Sequence, residues 1–320
     1  MAGVLDSVNQ RTQLVGQNRL ELLLFRLKGK QLYGINVFKV KEVLQCPTLY
    51  EIPNRNPVVR GVAHIRGGTI SIMDMNLSIG RSPLEDIKNC FVIITEYNRS
   101  TQGFLVGAVE RIVNMNWESI HPPPKGAGKE NYLTAVTEIE NQLVEIIDVE
   151  KILAEVNPLS EMISEGVIED GISERVVQKH VLIVDDSTIA RKQIQRVVEQ
   201  MGIKTTLKKD GREALDYLEG LIAQGKSAIE ELILVISDIE MPEMDGYTFT
   251  AEVRANPALK DLHVVLHTSL SGVFNEAMVK KVGADNFLAK FNPDDLAKAV
   301  NSRVKFMTGE DLLDEDETDV

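Results

Sequence analysis

The sequence predicts two domains of different fold class, an all-β domain followed by a doubly wound α/β domain with a parallel sheet. Short apolar runs separated by turn residues fill the chain from about residue 21 to 147, and apolar strands alternate with amphipathic helices after residue 178. A length of 320 residues allows two cores, because a domain usually takes roughly 100–200 residues. The predicted order is a leader at 1–18, the β domain at 19–156, an acidic linker at 157–178, the α/β domain at 179–306 and an acidic tail at 307–320.

The β domain is predicted from runs such as ELLLFRL, TISIMDM and FVIITEY, which have the length and composition of strands. Hairpin turns are expected at Lys28-Gly29-Lys30, at Arg66-Gly67-Gly68 and at residues 98–102. The segment DVEKILAEV reads as a short closing helix before Asn157-Pro158. Short strands in this number favour small barrels or a sandwich.

The α/β domain is predicted to begin with the strand HVLIV, followed by a helix that Ser187 caps and Gly202 ends. Asn292 and Pro293 have the residue types that open a last helix. Three further buried strands and three intervening helices are expected at LILVIS, HVVLHTS, NFLAK, GREALDYLEGLIAQG, TFTAEVRAN and NEAMVKKVG.

Composition excludes several classes of function. The net charge of −13 lies entirely in residues 156–320, where residues 156–178 carry five acids against one base. Such acidic segments are typical of solvated linkers, and the lack of a basic stripe argues against nucleic-acid binding. The only cysteines, Cys46 and Cys90, lack metal-ligand spacing and fit a reducing compartment. No apolar run of about 18 residues appears, so we expect a cytoplasmic protein without direct membrane insertion.

Four predicted strands of the α/β domain end in residues that suit phosphoryl chemistry. Asp185 and Asp186 follow the first strand, Asp238 ends LILVIS, and Thr268 and Lys290 end the last two. A single acid at a strand end is usually a helix cap or a turn former. Parallel strands, however, bring their carboxyl ends to one edge, and converging carboxylates favour a hard cation such as Mg²⁺. A carboxylate beside that ion can attack phosphorus, while the lysine and the threonine bind phosphoryl oxygens.

The segments VLIVDDS, VISDIEMPEMDG, HTS and LAK resemble the receiver domain of two-component response regulators over about residues 179–306. The resemblance implies a flavodoxin-like fold with a doubly wound parallel sheet of five strands. It implies that a histidine kinase phosphorylates Asp238. It also implies that Mg²⁺, or Mn²⁺, is held by Asp185, Asp186, Asp238 and the backbone carbonyl of Glu240.

Three positions depart from the receiver pattern. Phe287 stands where the family usually has tyrosine or another aromatic residue as a switch coupled to Thr268, so the resemblance implies Thr268 and Phe287 as the switch pair without a phenolic hydrogen bond. Phe291 stands where Lys290 is usually followed by a cis proline. Whether the Lys290–Phe291 peptide is cis is left open. The Glu240 side chain adds a carboxylate beside the phosphoryl position, and our hypothesis is that it alters hydrolysis of the acyl phosphate.

The stretches LYGINVFKVKEVL, EIPNRNPVVRGVAHIRGGTISIMDM and GFLVGAVERI resemble the CheW family of chemotaxis coupling domains over about residues 19–156. The resemblance implies two small, intertwined SH3-like barrels without enzymatic activity. It implies that Glu42 and Arg66 shape the surface that contacts the cytoplasmic tip of a chemoreceptor, the alternative being an ordinary surface ion pair. Val37 and Val40 belong either to a kinase-docking groove or to the barrel core.

A coupling domain fused to a receiver resembles CheV-type chemotaxis proteins. The resemblance implies an adaptor that bridges a transmembrane chemoreceptor and the histidine kinase CheA, with phosphorylation of Asp238 modulating the bridge. One alternative is a phosphate sink for CheA, and another is a receiver that serves only as a scaffold. A Mg²⁺-dependent phosphatase is disfavoured, because such enzymes carry an Asp-x-Asp nucleophile after the first strand, where this chain has Asp185-Asp186-Ser187.

Overall fold

A computed structural model describes residues 19–97, 100–116, 119–123, 132–157, 161–169, 171–268 and 279–310. The chain divides into compact units, one formed by residues 19–159 and the other containing residues 160–320. We describe each unit by itself. The predicted leader, the tail beyond residue 310 and the first four residues of NEAMVKKVG lie outside the described residues.

The first unit is built from two five-stranded sheets. Its strands are β1 (Arg19–Arg26), β2 (Leu32–Asn36), β3 (Val40–Gln45), β4 (Val59–Ile65), β5 (Gly68–Asp74), β6 (Phe91–Tyr97), β7 (Ser100–Val106), β8 (Ala108–Asn116), β9 (Leu133–Ile139) and β10 (Gln142–Ile147). One sheet has the order β8-β1-β2-β10-β9 and the other the order β3-β6-β7-β5-β4. The chain therefore leaves the first sheet after β2, completes the second, and returns to the first at β8.

Among the described residues, one isolated antiparallel bridge connects the opposite edges of each sheet. Tyr50, which follows the edge strand β3, exchanges two backbone hydrogen bonds of 2.8 Å with Val62 on β4. His121, which follows β8, does the same with Val136 on β9. The bridge between Tyr50 and Val62 needs a glycine at position 61, because a Cβ on Gly61 would lie 2.5 Å from the Tyr50 carbonyl oxygen. The predicted all-β domain with two intertwined small barrels is confirmed.

The predicted turns and closing helix of this unit are also present. β1 and β2, β4 and β5, and β6 and β7 form antiparallel hairpins, although residues 98 and 99 of the last turn lie outside the described chain. Helix α1 (Val149–Val156) begins after Asp148, whose carboxylate accepts a 2.9 Å hydrogen bond from the Lys151 N–H. α1 buries Val149, Ile152 and Leu153 in the core. Shorter helical turns cover Val37–Lys39, Met75–Ser78 and Ile87–Asn89.

The second unit has a parallel five-stranded sheet in the order β12-β11-β13-β14-β15, the doubly wound arrangement predicted. Its strands are β11 (His180–Val184), β12 (Lys204–Lys208), β13 (Leu232–Asp238), β14 (Val264–Thr268) and β15 (Asn286–Ala289). Its longer described helices are α2 (Thr188–Gln200), α3 (Gly211–Ala223), α4 (Gly246–Ala255) and α5 (Pro293–Thr308). Four-residue helices cover Ile172–Arg175 and Ala228–Glu231.

The helix caps predicted for this unit are confirmed, and one strand was missed. Ser187 Oγ accepts a hydrogen bond from the Ala190 N–H, and Asn292 Oδ1 accepts one from the Asp294 N–H. Gly202, with a φ of 74°, follows the end of α2. The sheet has the five strands that the resemblance implies, and the strand that we did not locate in the sequence is β12. Its sequence KTTLK lies at the edge of the sheet and is only partly buried.

Candidate functional site

The sheet brings the predicted site residues to its carboxyl edge. Asp185 directly follows β11, Asp238 and Thr268 end β13 and β14, and Lys290 directly follows β15. Asp238 is opposite His267 in the register of β13 and β14, and Thr268 is opposite Ala289 on β15. Neighbouring parallel strands therefore place the aspartate, the threonine and the lysine side by side.

Lys290 lies between two buried carboxylates. Its Nζ is 2.7 Å from Asp185 Oδ2 and 2.9 Å from Asp238 Oδ2. All three residues are almost inaccessible to solvent, with exposures of 3%, 0% and 6% respectively. A buried charge is tolerated when it is paired and hydrogen-bonded. The single ammonium group pairs with both carboxylates but neutralises only one of the two negative charges.

Backbone groups fix the orientation of these side chains. Asp185 Oδ1 accepts a 2.8 Å hydrogen bond from the Ser187 N–H, and Asp238 Oδ1 accepts one of 2.8 Å from the Ile239 N–H. The Lys290 N–H donates a 2.7 Å bond to the Thr268 carbonyl. The second oxygen of each aspartate is thereby turned toward Lys290.

The loop after Asp238 folds back tightly on the aspartate. The Gly246 N–H donates a 2.9 Å hydrogen bond to the Ile239 carbonyl, and Asp245 caps α4 by accepting a 2.8 Å bond from the Thr248 N–H. A Cβ on Gly246 would lie only 2.1 Å from the Asp238 carbonyl oxygen. The Asp245-Gly246 pair in the sequence therefore meets two local demands, a helix cap and a close backbone approach.

Three of the four residues predicted to hold a metal ion have their carboxylates close together. One carboxylate oxygen from each of Asp185, Asp186 and Asp238 falls within 4.8 Å of the others. The donors are all hard oxygen atoms at a buried edge, which is the type of ligand that Mg²⁺ and Mn²⁺ accept. The donor set fits the predicted ion. Glu240 lies two residues beyond Asp238. Burial of the Tyr247 phenol raises its pKa, and the nearby negative charge of Glu240 raises it further.

The two departures near Lys290 have defined surroundings. Phe287 is opposite Leu266 on β14 and packs, partly buried, against a cluster that contains Ile239 and Tyr247. The Lys290–Phe291 peptide is cis, which answers the question that the sequence left open. The Phe291 ring meets the His267 ring edge-on, with centroids 6.3 Å apart and an interplanar angle of 73°.

His267 was not singled out from the sequence. It is 2% exposed and neighbours Asp238 across the sheet. The available signal in the sequence was a histidine between the apolar run VVL and the predicted site residue Thr268.

In the first unit, Glu42 and Arg66 are paired as predicted. Arg66 Nε and Nη2 donate hydrogen bonds of 2.6 and 2.8 Å to the two carboxylate oxygens of Glu42. These bonds hold the pKa of Glu42 below its usual value and raise that of Arg66. The arginine side chain is 78% exposed, so the pair is a surface feature. Val37 and Val40 are partly buried and pack against the core of this unit.

Two buried ion pairs of the first unit were not anticipated. Asp74 is fully buried, and its Oδ2 is 3.0 Å from Arg60 Nη1 and accepts a 2.9 Å bond from the Leu84 N–H. Glu150, on α1, lies 3.0 Å from Lys39 Nζ. Pairing across such long sequence separations gives no local signal in the sequence.

Comparisons with known proteins agree with this architecture. The CheW-like domain family matches residues 21–157, and the response regulator receiver domain family matches residues 181–301. Within the described chain, no helix combines the length and apolarity needed to cross a membrane.

The similarity to two chemotaxis proteins of Helicobacter pylori spans nearly the whole chain. The chain is 33% identical over 298 residues to CheV3, covering 89% of this chain and 94% of that protein. It is 30% identical over 320 residues to CheV1, covering 94% and 98%. Similarity to the chemotaxis protein CheW of Klebsiella aerogenes, at 28% identity, covers 48% of this chain and 92% of that protein. The predicted combination of a CheW-like domain and a receiver domain is confirmed.

Proposed function

This chain belongs to the CheV family of chemotaxis proteins, and we propose that it couples chemoreceptors to the histidine kinase CheA under the control of phosphorylation at Asp238. Its homologues support a chemotaxis coupling adaptor that carries a receiver domain. The observation that carries the regulatory part is the placement of Lys290 between Asp185 and Asp238 at the carboxyl edge of the sheet.

The proposed reaction is transfer of a phosphoryl group from a kinase histidine to Asp238. A carboxylate oxygen of Asp238 attacks phosphorus, an O–P bond forms, the P–N bond breaks, and the imidazole leaves. Lys290 and Thr268 would bind oxygens of the transferred group. Asp185, Asp186, Asp238 and the Glu240 carbonyl would hold Mg²⁺ or Mn²⁺, which supplies positive charge against the incoming phosphoryl group.

The proposed output is a protein contact made by the CheW-like domain. The exposed Glu42–Arg66 pair is assigned to the surface that touches the cytoplasmic tip of a chemoreceptor, which would recruit the protein to receptor arrays. Val37 and Val40 pack on the core, and this packing favours a structural role for them over a place in the kinase-docking groove. We propose no catalytic turnover beyond acceptance of phosphate and its hydrolysis.

Phosphoryl transfer is tested by mixing the full chain with ³²P-labelled CheA and Mg²⁺. Label is expected to pass to the wild type and not to Asp238→Asn, which keeps the side-chain shape but is a far weaker nucleophile. No transfer to the wild type would refute the receiver assignment. Steady turnover of p-nitrophenyl phosphate would instead support the phosphatase alternative.

A reconstituted assay with receptor and kinase separates modulated coupling from a phosphate sink. Under our proposal, the wild type and Asp238→Asn support different levels of receptor-controlled kinase activity once the wild-type receiver is phosphorylated. Under the sink alternative phosphorylation drains phosphate but leaves receptor control of the kinase unchanged.

The surface assignment is tested by Arg66→Asn. Arg66 has a φ of 48° in the β4–β5 turn, a conformation that asparagine adopts readily, so this change removes the guanidinium without harming the turn. Receptor coupling is expected to fall while the thermal midpoint holds. The matched control is Arg111→Asn, which breaks another exposed ion pair of the same unit, with Glu140 at 2.6 Å. Equal loss of coupling in both variants would contradict the assignment.

A further inference from the structure

The acidic segment between the two matched domains lies along the second unit. We call residues 161–169 and 171–178 the strap. Two of its side chains, Ile172 and Val176, are 3% and 5% exposed. Ser173 packs so closely on Gly202 that a Cβ there would lie 2.9 Å from the Ser173 Cβ. These contacts give the strap an apolar and steric fit to the receiver.

One end of the strap is fixed to α2. Both carboxylate oxygens of Glu161 contact Arg196 Nη1, at 2.9 and 2.7 Å. Gln200 Nε2 donates a 2.7 Å hydrogen bond to the Glu161 carbonyl, and Gln200 Oε1 accepts one of 3.2 Å from the Ile163 N–H. Two neighbouring turns of α2 therefore hold this end.

The rest of the strap is fixed to α5. The Ser164 N–H and hydroxyl donate bonds of 2.8 and 2.7 Å to the two carboxylate oxygens of Asp294. These bonds lower the pKa of Asp294. Further along, Asn301 Nδ2 donates a 2.7 Å bond to the Val167 carbonyl, and Glu169 lies 2.9 Å from Lys305 Nζ.

Both helices under the strap begin immediately after residues of the phosphoryl site. α2 starts at Thr188, after Asp185 and Asp186, and α5 starts at Pro293, three residues after Lys290. The 2.7 Å contact between Lys290 and Asp185 joins the two short segments that lead into these helices. A phosphoryl group on Asp238 would compete for Lys290, and it would therefore loosen this contact.

We propose that the strap is the output element of the receiver: loss of the Lys290–Asp185 contact on phosphorylation shifts α5 relative to α2 and releases the strap. Release matters for coupling because Ser164 follows Asn157, the last described residue of the first unit, by seven positions. The inference rests on the proposed function of Asp238 and adds the route by which phosphorylation is communicated along the chain.

Hydrogen–deuterium exchange of the full chain tests the release. Mg²⁺ with beryllofluoride, a phosphoryl analogue, is expected to raise the amide exchange rate of the strap, including Ile163 and Ser164, at least threefold in the wild type. In Asp238→Asn the exchange rate of the strap is expected to stay unchanged. Slower exchange around Thr268 with an unchanged strap would overturn the inference and leave the proposed function standing. No change anywhere in the wild type would count against the phosphoryl site itself.

A matched pair of charge reversals tests the consequence. Glu169→Lys replaces the partner of Lys305 by a like charge, whereas Glu165→Lys makes the same change at an exposed strap residue. In Glu169→Lys the backbone amides of the strap are expected to exchange rapidly with or without beryllofluoride. This variant is expected to accept phosphate within twofold of the wild-type rate but to lose phosphate-dependent control of kinase coupling. Glu165→Lys should behave as the wild type. Normal phosphate-dependent control in Glu169→Lys would refute the strap as output.

Discussion

Replacing Gly246 by alanine is expected to damage both the stability of the receiver and its phosphoryl chemistry. The new Cβ would lie 2.1 Å from the Asp238 carbonyl oxygen and 3.0 Å from Ile239 Cα. Relieving that overlap requires a displacement of about 1.4 Å, because non-bonded atoms sit about 3.5 Å apart. Overpacking of this kind costs about 1–3 kcal/mol, and a shift of about 1 Å at a reacting group costs about 10²-fold in rate.

The same substitution at Gly220 provides the control. Gly220 lies inside α3, and a Cβ there would meet nothing within 4 Å. Alanine in a helix interior is more stable than glycine by about 0.5–1 kcal/mol, so Gly220→Ala should stabilise the same domain that Gly246→Ala destabilises.

The two effects of Gly246→Ala need separate measurements. Urea unfolding followed by circular dichroism gives the stability, and phosphate-affinity electrophoresis after incubation with acetyl phosphate and Mg²⁺ gives the rate of phosphorylation. A Gly246→Ala variant with the wild-type unfolding midpoint and the wild-type rate would refute the steric reasoning.

Asp74→Ala removes one partner of the buried pair with Arg60 and should cost about 3–5 kcal/mol in urea unfolding of the first unit. Burial raises the pKa of Cys46 to about 11, so alkylation by iodoacetamide at pH 8 should be about two orders of magnitude slower than for an ordinary thiol. Burial lowers the pKa of His180; the unfolded chain is protonated first, so stability should fall as pH drops below about 6.5, and less so in His180→Gln. Glu240→Asn should change the half-life of the acyl phosphate, measured by loss of ³²P, and an unchanged half-life would remove that role.

The receiver fold could be predicted because its central strands and helix ends carry strong local signals. Buried parallel strands read as continuous apolar runs, and their ends identify the edge where Asp238 and Lys290 meet. The cap residues Ser187 and Asn292 identify helix starts. β12 escaped prediction because an edge strand has one neighbour, so its sequence KTTLK keeps polar side chains and shows no apolar run.

The strap shows where composition misleads. Five acids against one base predicted a solvated segment for residues 156–178. The structure uses Glu161 and Glu169 as anchors instead, and their partners Arg196 and Lys305 lie 35 and more than 100 residues away in sequence. The composition of a segment gives its own charge but not the charge of the protein surface against which it packs.

Arg66 is one of the residues whose local structure and residue type disagree. Arg66 and Gly67 have φ angles of 48° and 83°, a turn that favours asparagine followed by glycine over arginine. Exposed ion pairs contribute little to stability, so the contact with Glu42 does not account for an arginine in this turn. Side chains that contradict their local backbone are expected at functional sites. Glu140, the partner of Arg111, shows the same mismatch with a φ of 51°. The mismatch alone therefore does not assign partner binding to Arg66, and the comparison of Arg66→Asn with Arg111→Asn decides between a binding surface and an ordinary ion pair.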